Sequence, residues 1–262
     1  MTLVPALLAA SVSGGAGGEE PAESAGLVRY VQPLLGSMAS ERGYGGTMPS
    51  VARPFGMTHW VAATRANGIS RLPYWYLDTS IEGFLGTHQP APWMGDYGYV
   101  KLMPGIGEVR PGGSLPYRHE AETAEAHRYA VDLDTPAGAL RATIAGTERC
   151  GVLRFDFPSG PGAEPHVVLE AIRSNSFVGG VRIDPEAREI SGYNPDRQSV
   201  HLGPALSSFR GYFVARFEAP FAAWGTWDGS GVKRGESARN GTRVGAFVTF
   251  GPSVRRVLVK VG

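Results

Sequence analysis

The stretch Tyr129-Ala130-Val131-Asp132-Leu133-Asp134-Thr135-Pro136-Ala137-Gly138-Ala139-Leu140-Arg141-Ala142-Thr143-Ile144 decides the fold. Tyr129, Val131 and Leu133 recur at every second residue, and so do Leu140, Ala142 and Ile144. A period of two places apolar side chains on one face of a strand. Thr135-Pro136-Ala137-Gly138 between the runs is turn chemistry, so the stretch reads as two strands joined by a hairpin. Leu153, Phe155 and Phe157 follow the same rule, as do Phe209, Gly211, Phe213, Ala215 and Phe217. Further turn signals stand at Asp184-Pro185, Asn194-Pro195-Asp196, Asp228-Gly229 and Asn240-Gly241, the last a pair suited to a hairpin turn with positive φ. Short strands at this spacing predict an all-β chain: an antiparallel β-sandwich of two large sheets with a loop-rich edge and little helix. A turn or two of helix is expected only at 121–126.

The composition agrees. The chain has 262 residues, 42% of them hydrophobic, enough for a substantial core. Its 37 glycines are about twice the average usage of ~7%, and 20 prolines add to the turns. A net charge of +1 argues against nucleic acid or an anionic membrane as partner. No apolar run reaches the length of a spanning helix. The single Cys150 rules out an internal disulfide and reads as a small buried hydrophobe within a strand. Residues 1–26 differ from the rest: an apolar segment from Leu3 to Val12, then Gly14-Gly15-Ala16-Gly17-Gly18 and an acidic, Ala-rich stretch. They resemble a secretory leader without its basic start, so a secreted or periplasmic location is expected, with one domain over 27–262.

The richest chemistry lies at Thr87-His88-Gln89-Pro90-Ala91-Pro92-Trp93-Met94-Gly95-Asp96-Tyr97-Gly98. Proline fixes the bends of such a loop and lowers the cost of ordering it around a ligand. Trp93 offers a flat apolar face, while His88, Gln89 and Asp96 offer donors and acceptors, a set suited to a polyhydroxylated ligand. Each has a plainer role open to it: Trp93 capping the core, His88 a structural hydrogen bond, Asp96 capping the turn at Gly95. Trp60, within Met57-Thr58-His59-Trp60, lines the same pocket or packs in the core. The loop-rich half, 36–118, also carries Met48, Phe55, Met57, Trp75, Met94 and Met103. Together with Trp60 and Trp93 these are expected to form an exposed apolar face, with residues 257–261 as an open strand edge beside it.

Other chemistries find no support. Gly43-Tyr44-Gly45-Gly46 is not followed by the Lys-Ser/Thr of a phosphate loop, and no Gly-x-Ser-x-Gly elbow occurs. His59, His88, His119, His127, His166 and His201 are scattered without zinc-ligand spacing. Asp78, Glu82, Asp96 and Glu108 could supply carboxyl pairs, but no spacing marks them as a glycosidase dyad, and no catalytic residue is assigned.

The wording of several segments resembles the N-terminal domain of glycoside hydrolase family 92, the calcium-dependent exo-α-mannosidases. These segments are Val28-Arg29-Tyr30-Val31-Gln32-Pro33-Leu34-Leu35-Gly36, Gly46-Thr47-Met48-Pro49, Arg53-Pro54-Phe55-Gly56-Met57 with Trp60 after it, Ile81-Glu82-Gly83-Phe84, the 87–98 loop, Thr147-Glu148-Arg149, Arg154-Phe155-Asp156-Phe157-Pro158 and Val257-Leu258-Val259-Lys260-Val261-Gly262. Leu153 and Leu72-Pro73 depart from the family's pattern. The resemblance implies an opening strand at Val28, mannose-containing glycans as ligands, and a C-terminal helical-barrel domain as partner. That domain would carry the acid, the base and the calcium ligands, while the 87–98 loop supplies one wall of the sugar pocket. The alternative is a stand-alone secreted carbohydrate-binding or interaction module with no catalytic partner.

Overall fold

The structure is a computed structural model and describes residues 26–38, 46–89, 91–160, 163–199 and 206–262. Most of the leader, the Gly43-Tyr44-Gly45 run, Pro90 and His201 lie outside these residues. The chain divides into a leading unit, Met1–Val31, and a body, Gln32–Gly262. In the leading unit residues 26–28 form one helical turn, and 33–37 in the body are turns, so the strand expected from Val28 to Gly36 is not formed.

The body is β1 (His59–Ala63), β2 (Ser80–Ile81), β3 (Gly83–Thr87), β4 (Val100–Ile106), β5 (Leu115–Ala124), β6 (Arg128–Thr135), β7 (Gly138–Gly146), β8 (Gly151–Asp156), β9 (Pro165–Glu170), β10 (Gly179–Asp184), β11 (Glu189–Asn194), β12 (Gly211–Phe217), β13 (Ala223–Asp228), β14 (Gly231–Arg234), β15 (Ala238–Gly241), β16 (Gly245–Thr249) and β17 (Arg256–Val261). They form two antiparallel sheets. The seven-stranded sheet runs β1-β3-β4-β9-β16-β13-β14 and the ten-stranded sheet β15-β10-β11-β12-β17-β8-β7-β6-β5-β2.

In the ten-stranded sheet the alternation read from sequence sorts side chains between core and solvent. Tyr129, Val131, Leu133, Leu140, Ala142, Ile144, Leu153 and Phe155 are fully buried on the inner face. Burial of such side chains stabilises by about 1.5–3 kcal/mol each. The outer face carries ion pairs such as Arg256–Asp156 at 2.6 Å and Arg154–Asp156 at 2.9 Å. The hairpin at 135–138 is as expected: Thr135 Oγ1 donates to Gly138 O at 2.6 Å, and Gly138 has φ +117°. Leu153, the departure from the family's wording, is an inner-face position.

The seven-stranded sheet is buried on both faces through β3, β9 and β16, while its edge strand β14 is exposed. Strands β9 and β16 carry apolar residues on both faces because an inner core meets one side and a smaller cluster of Val109, Val168, Trp227 and Phe247 covers the other, and β1 and β3 are buried throughout save for His59. The sheets meet through contacts such as Phe84 of β3 with Phe155 of β8, ring centres 5.9 Å apart. The chain passes from one sheet to the other between β2 and β3, at Gly83. There φ is +145°, and a Cβ would meet the Lys101 side chain and Leu102 O, so only glycine fits.

Four expectations are corrected. Residues 121–126 are not helical; 121–124 end β5, whose register slips between Tyr117 and Glu122. The bulge turns the Glu122 carboxylate inward, where it accepts from Tyr129 Oη at 2.5 Å, Tyr74 Oη at 2.8 Å and the His119 ring at 2.8 Å. Asn240-Gly241 lies in β15 paired with β10, and the left-handed residue of the following turn is Arg243, φ +49°. Cys150 is half-buried and closes the β7–β8 turn. The last strand is no edge: β17 pairs with β8 on one side and β12 on the other.

Candidate functional site

The 87–98 loop joins β3 to β4 and is held by its own polar residues. Asp96 is fully buried, and its carboxylate accepts from Thr87 Oγ1 and Asn67 Nδ2, each at 2.7 Å, from His88 N at 2.8 Å and from Tyr97 N at 2.9 Å. Burial pushes its pKa above the ordinary value, and these donors oppose the rise. Gln89 is also buried. Its amide donates to Met94 O at 2.6 Å, Gly68 O at 2.9 Å and Arg71 O at 3.3 Å, and its oxygen accepts from Asn67 at 3.2 Å. Asp96 and Gln89 therefore face inward and tie the loop to the neighbouring 64–78 segment.

A second neighbour is the segment after β11. Gln198 N donates to Asp96 O at 2.9 Å, and Asp96 N donates back to Gln198 Oε1 at 3.0 Å. Gly98 N donates to Asp196 O at 3.1 Å, Tyr97 bridges Arg197, and Tyr99 Oη donates to Asp196 Oδ2 at 2.9 Å. A Cβ on Gly95 would overlap Gln198, so the two segments pass at glycine distance. Asn67 and Gln198 were not among the residues singled out from sequence, and Asn194-Pro195-Asp196 was read only as a turn.

What remains outward is Trp93, 71% exposed at the tip. His88, five residues earlier in the loop, is half-buried; its Nδ1 lies 2.8 Å from Tyr97 O, its Nε2 3.3 Å from the Thr58 hydroxyl, and its ring stacks on Tyr97 at 5.0 Å. Trp60 is 1% exposed, with its indole laid over Gly86 and Gly151. It contributes to the floor of a small crevice of about 50 Å³ walled by Thr58, His88, Arg149 and Tyr212. On the 64–78 segment the Arg65 guanidinium lies 3.8 Å over the Trp75 ring and pairs with Asp78.

The exposed apolar face is smaller than expected. Phe55, Met57 and Trp93 are exposed, but Trp60 is in the core, Met48 and Met103 pack against it, and Trp75 and Met94 are half-buried. The carboxyl candidates do not converge. Asp78 is bound by Arg65 and Thr64, Asp96 is enclosed, Glu82 lies 4.0 Å from Lys101, and Glu108 pairs with exposed Arg110. Among the described residues no three His, Cys, Asp or Glu side chains group as a metal site, and no helix is long and apolar enough to cross a membrane.

The profile of the glycosyl hydrolase family 92 N-terminal domain matches residues 30–262. No curated protein matches the chain in sequence. Among solved structures, a family GH92 inverting mannosidase from Bacteroides thetaiotaomicron VPI-5482 superposes with a TM-score of 0.79 at 29% identity, over 90% of this chain and 31% of that one. A family GH92 alpha-mannosidase from Bacteroides thetaiotaomicron superposes at 0.69 with 20% identity, over 90% and 33%. A gh92 family glycosyl hydrolase, ccman5, does so at 0.69 with 22% identity, over 89% and 32%. The chain thus spans about a third of the length of these proteins.

Proposed function

This chain belongs to the family of glycosyl hydrolase family 92 N-terminal domains, and from that premise we propose that it presents one wall of a mannoside pocket through Trp93 and His88. The observation that carries the reading is the contrast within one loop. Asp96 and Gln89 are buried and fully engaged, whereas Trp93 stands 71% exposed on the support they make. A large aromatic held out on a stiff loop loses little freedom when a sugar ring stacks on it. His88, braced by Tyr97 and Thr58, stands ready to meet a hydroxyl. Gln89 and Asp96 act on the sugar through the loop they shape, and Trp60 through the floor beneath His88.

In this reading the acid, the base and the calcium belong to the helical-barrel domain that follows in the family. Calcium there would polarise the sugar, and this chain's part is to seat the ring. The test is a fluorescence titration of the chain with methyl α-mannoside, wild type against Trp93→Ala, beside an aryl α-mannoside assay with and without calcium. The expected result is a weak saturable signal lost in the variant, and no turnover by the chain alone. An unchanged titration in Trp93→Ala would return this side chain to a packing role.

A further inference from the structure

The outer face of the ten-stranded sheet changes character along its width. Over β8 and β17 it carries ion pairs, and Glu189 of β11 pairs there with Arg216 of β12. Two rows across β10–β12 differ. The register sets Asn240, Gly180, Tyr193 and Tyr212 side by side across β15, β10, β11 and β12, and Ala238, Arg182, Ser191 and Val214 in the next row. The alternate residues Val181, Ile183, Ile190 and Phe213 are in the core, so these two rows face outward. Tyr212 is 72% exposed and Val214 43%. Scattered apolar side chains on a surface need no explanation, but a contiguous patch with an aromatic at its centre marks a contact site.

The patch holds its aromatic rings in place. Tyr193 lies over Gly180, where a Cβ would come within 2.6 Å of the ring, so only glycine leaves it room. The Arg210 guanidinium covers the Tyr193 ring at 4.7 Å, and Asn240 Oδ1 lies 3.4 Å from its phenol oxygen. Tyr193 in turn stands beside Tyr212, ring centres 6.3 Å apart. Tyr212 follows Gly211, where a Cβ would overlap Gly98 at the foot of the 87–98 loop. An exposed ring rooted in this way loses little freedom when a ligand covers it.

Beside these rings runs a groove of about 390 Å³, within the ~300–1,000 Å³ of small-molecule sites. Ser191 and Gly192 form its floor, Tyr193, Tyr212 and Val214 its apolar walls, and Arg182 and Asn240 its polar side. Tyr212 also walls the crevice next to His88, so the groove and the 87–98 loop meet at this one side chain. Besides the two phenols the lining offers one hydroxyl, one amide and one guanidinium. A neutral sugar ring matches that set: its C–H face lies on an aromatic ring, and its hydroxyls need a few donors and acceptors around it. A purely apolar ligand would leave Ser191, Asn240 and Arg182 unanswered, and a chain of net charge +1 gives a polyanion little hold.

We propose that Tyr212 and this groove form a second sugar subsite, taking a further ring of an oligosaccharide whose first ring meets Trp93 and His88. The inference rests on the mannoside reading of the loop for the first ring only; the groove itself calls for a neutral sugar.

Calorimetric titration of the 262-residue chain with methyl α-mannoside and with a linear α-mannotriose tests it. The trisaccharide is expected to bind roughly three- to tenfold tighter, the gain of one stacked ring. Tyr212→Ala should abolish that gain, and so should Ser191→Trp, which fills the groove from its floor with Tyr212 still present. Both positions are on the outer face, so both variants should keep a wild-type Tm. If Trp93→Ala leaves methyl α-mannoside binding intact while the trisaccharide still depends on Tyr212, the loop reading fails and the groove stands as a sugar site of its own. Equal affinity for the two sugars, or a gain that survives Tyr212→Ala or Ser191→Trp, would overturn the proposal. So would a dimer in sedimentation that Tyr212→Ala dissociates, which would give this face to a second copy of the chain.

Discussion

Thr87 and Asp96 close their loop on itself, the Thr87 hydroxyl donating to Asp96 Oδ2 at 2.7 Å across nine residues. Asp96→Ala leaves that hydroxyl, the Asn67 amide and two backbone N–H groups without their acceptor. The expected loss is about 2–5 kcal/mol in chemical denaturation, because buried donors then bear their full desolvation cost. Asp96→Asn, which keeps one acceptor oxygen, should lose less. Equal stability of wild type and Asp96→Ala would show that the loop is not held by this carboxylate.

The two tryptophans should part company. Trp60→Ala opens a cavity between the sheets and should cost about 3–5 kcal/mol. Trp93→Ala removes a largely solvated side chain and should change stability by no more than about 0.5 kcal/mol. Thermal melts of both variants check the pair, and a large drop for Trp93→Ala would contradict its outward placement.

Gly151 is where the Trp60 indole lies, and a Cβ there would overlap the ring. Gly151→Ala should therefore destabilise by about 1–3 kcal/mol through overpacking. Combining it with Trp60→Phe should cost less than the sum of the two single changes, since the smaller ring relieves the clash. Strict additivity in the double-mutant cycle would place the strain elsewhere.

Burial lowers the pKa of His166, opposite Gly105 in the β4–β9 pair, to about 4 from 6.5. The unfolded chain thus takes up this proton first as pH falls. The contribution is complete above pH ~6.5 and declines as pH falls to about 4, by roughly 3 kcal/mol in all. His166→Asn should flatten that part of the stability–pH curve, and an unaltered slope in the variant would assign the acid sensitivity to other groups.

The sandwich was legible where one face of a strand meets water. Strands β6, β7, β8, β12 and β17 alternate because their outer residues, among them Asp132, Arg154, Arg216 and Lys260, are solvated. Strands covered on both faces give no such period, and β1, β3 and β16 passed as loop or unassigned sequence. At 115–124 the bulge breaks the alternation, and buried Glu122 looks like a surface residue until Tyr74, Tyr129 and His119 are seen around it. In the 87–98 loop, residue types marked a site but not which of them point inward, because that depends on Asn67 and Gln198, far away in sequence. The Lys101–Glu170 ion pair across β4 and β9 left only a faint trace, one charge in each of two apolar runs.

The central position of β17 has a bearing on how the chain is made. Its register joins Arg256 to Asp156, one hundred residues earlier, and its other flank takes up β12. During synthesis the hairpins from β5 to β8 can form as they emerge, but β8 then waits with one bare rim until the final strand arrives. Over that interval the nascent domain is open to pairing with other chains, and completion of the sheet depends on the arrival of residues 256–261 rather than on the hairpins made first.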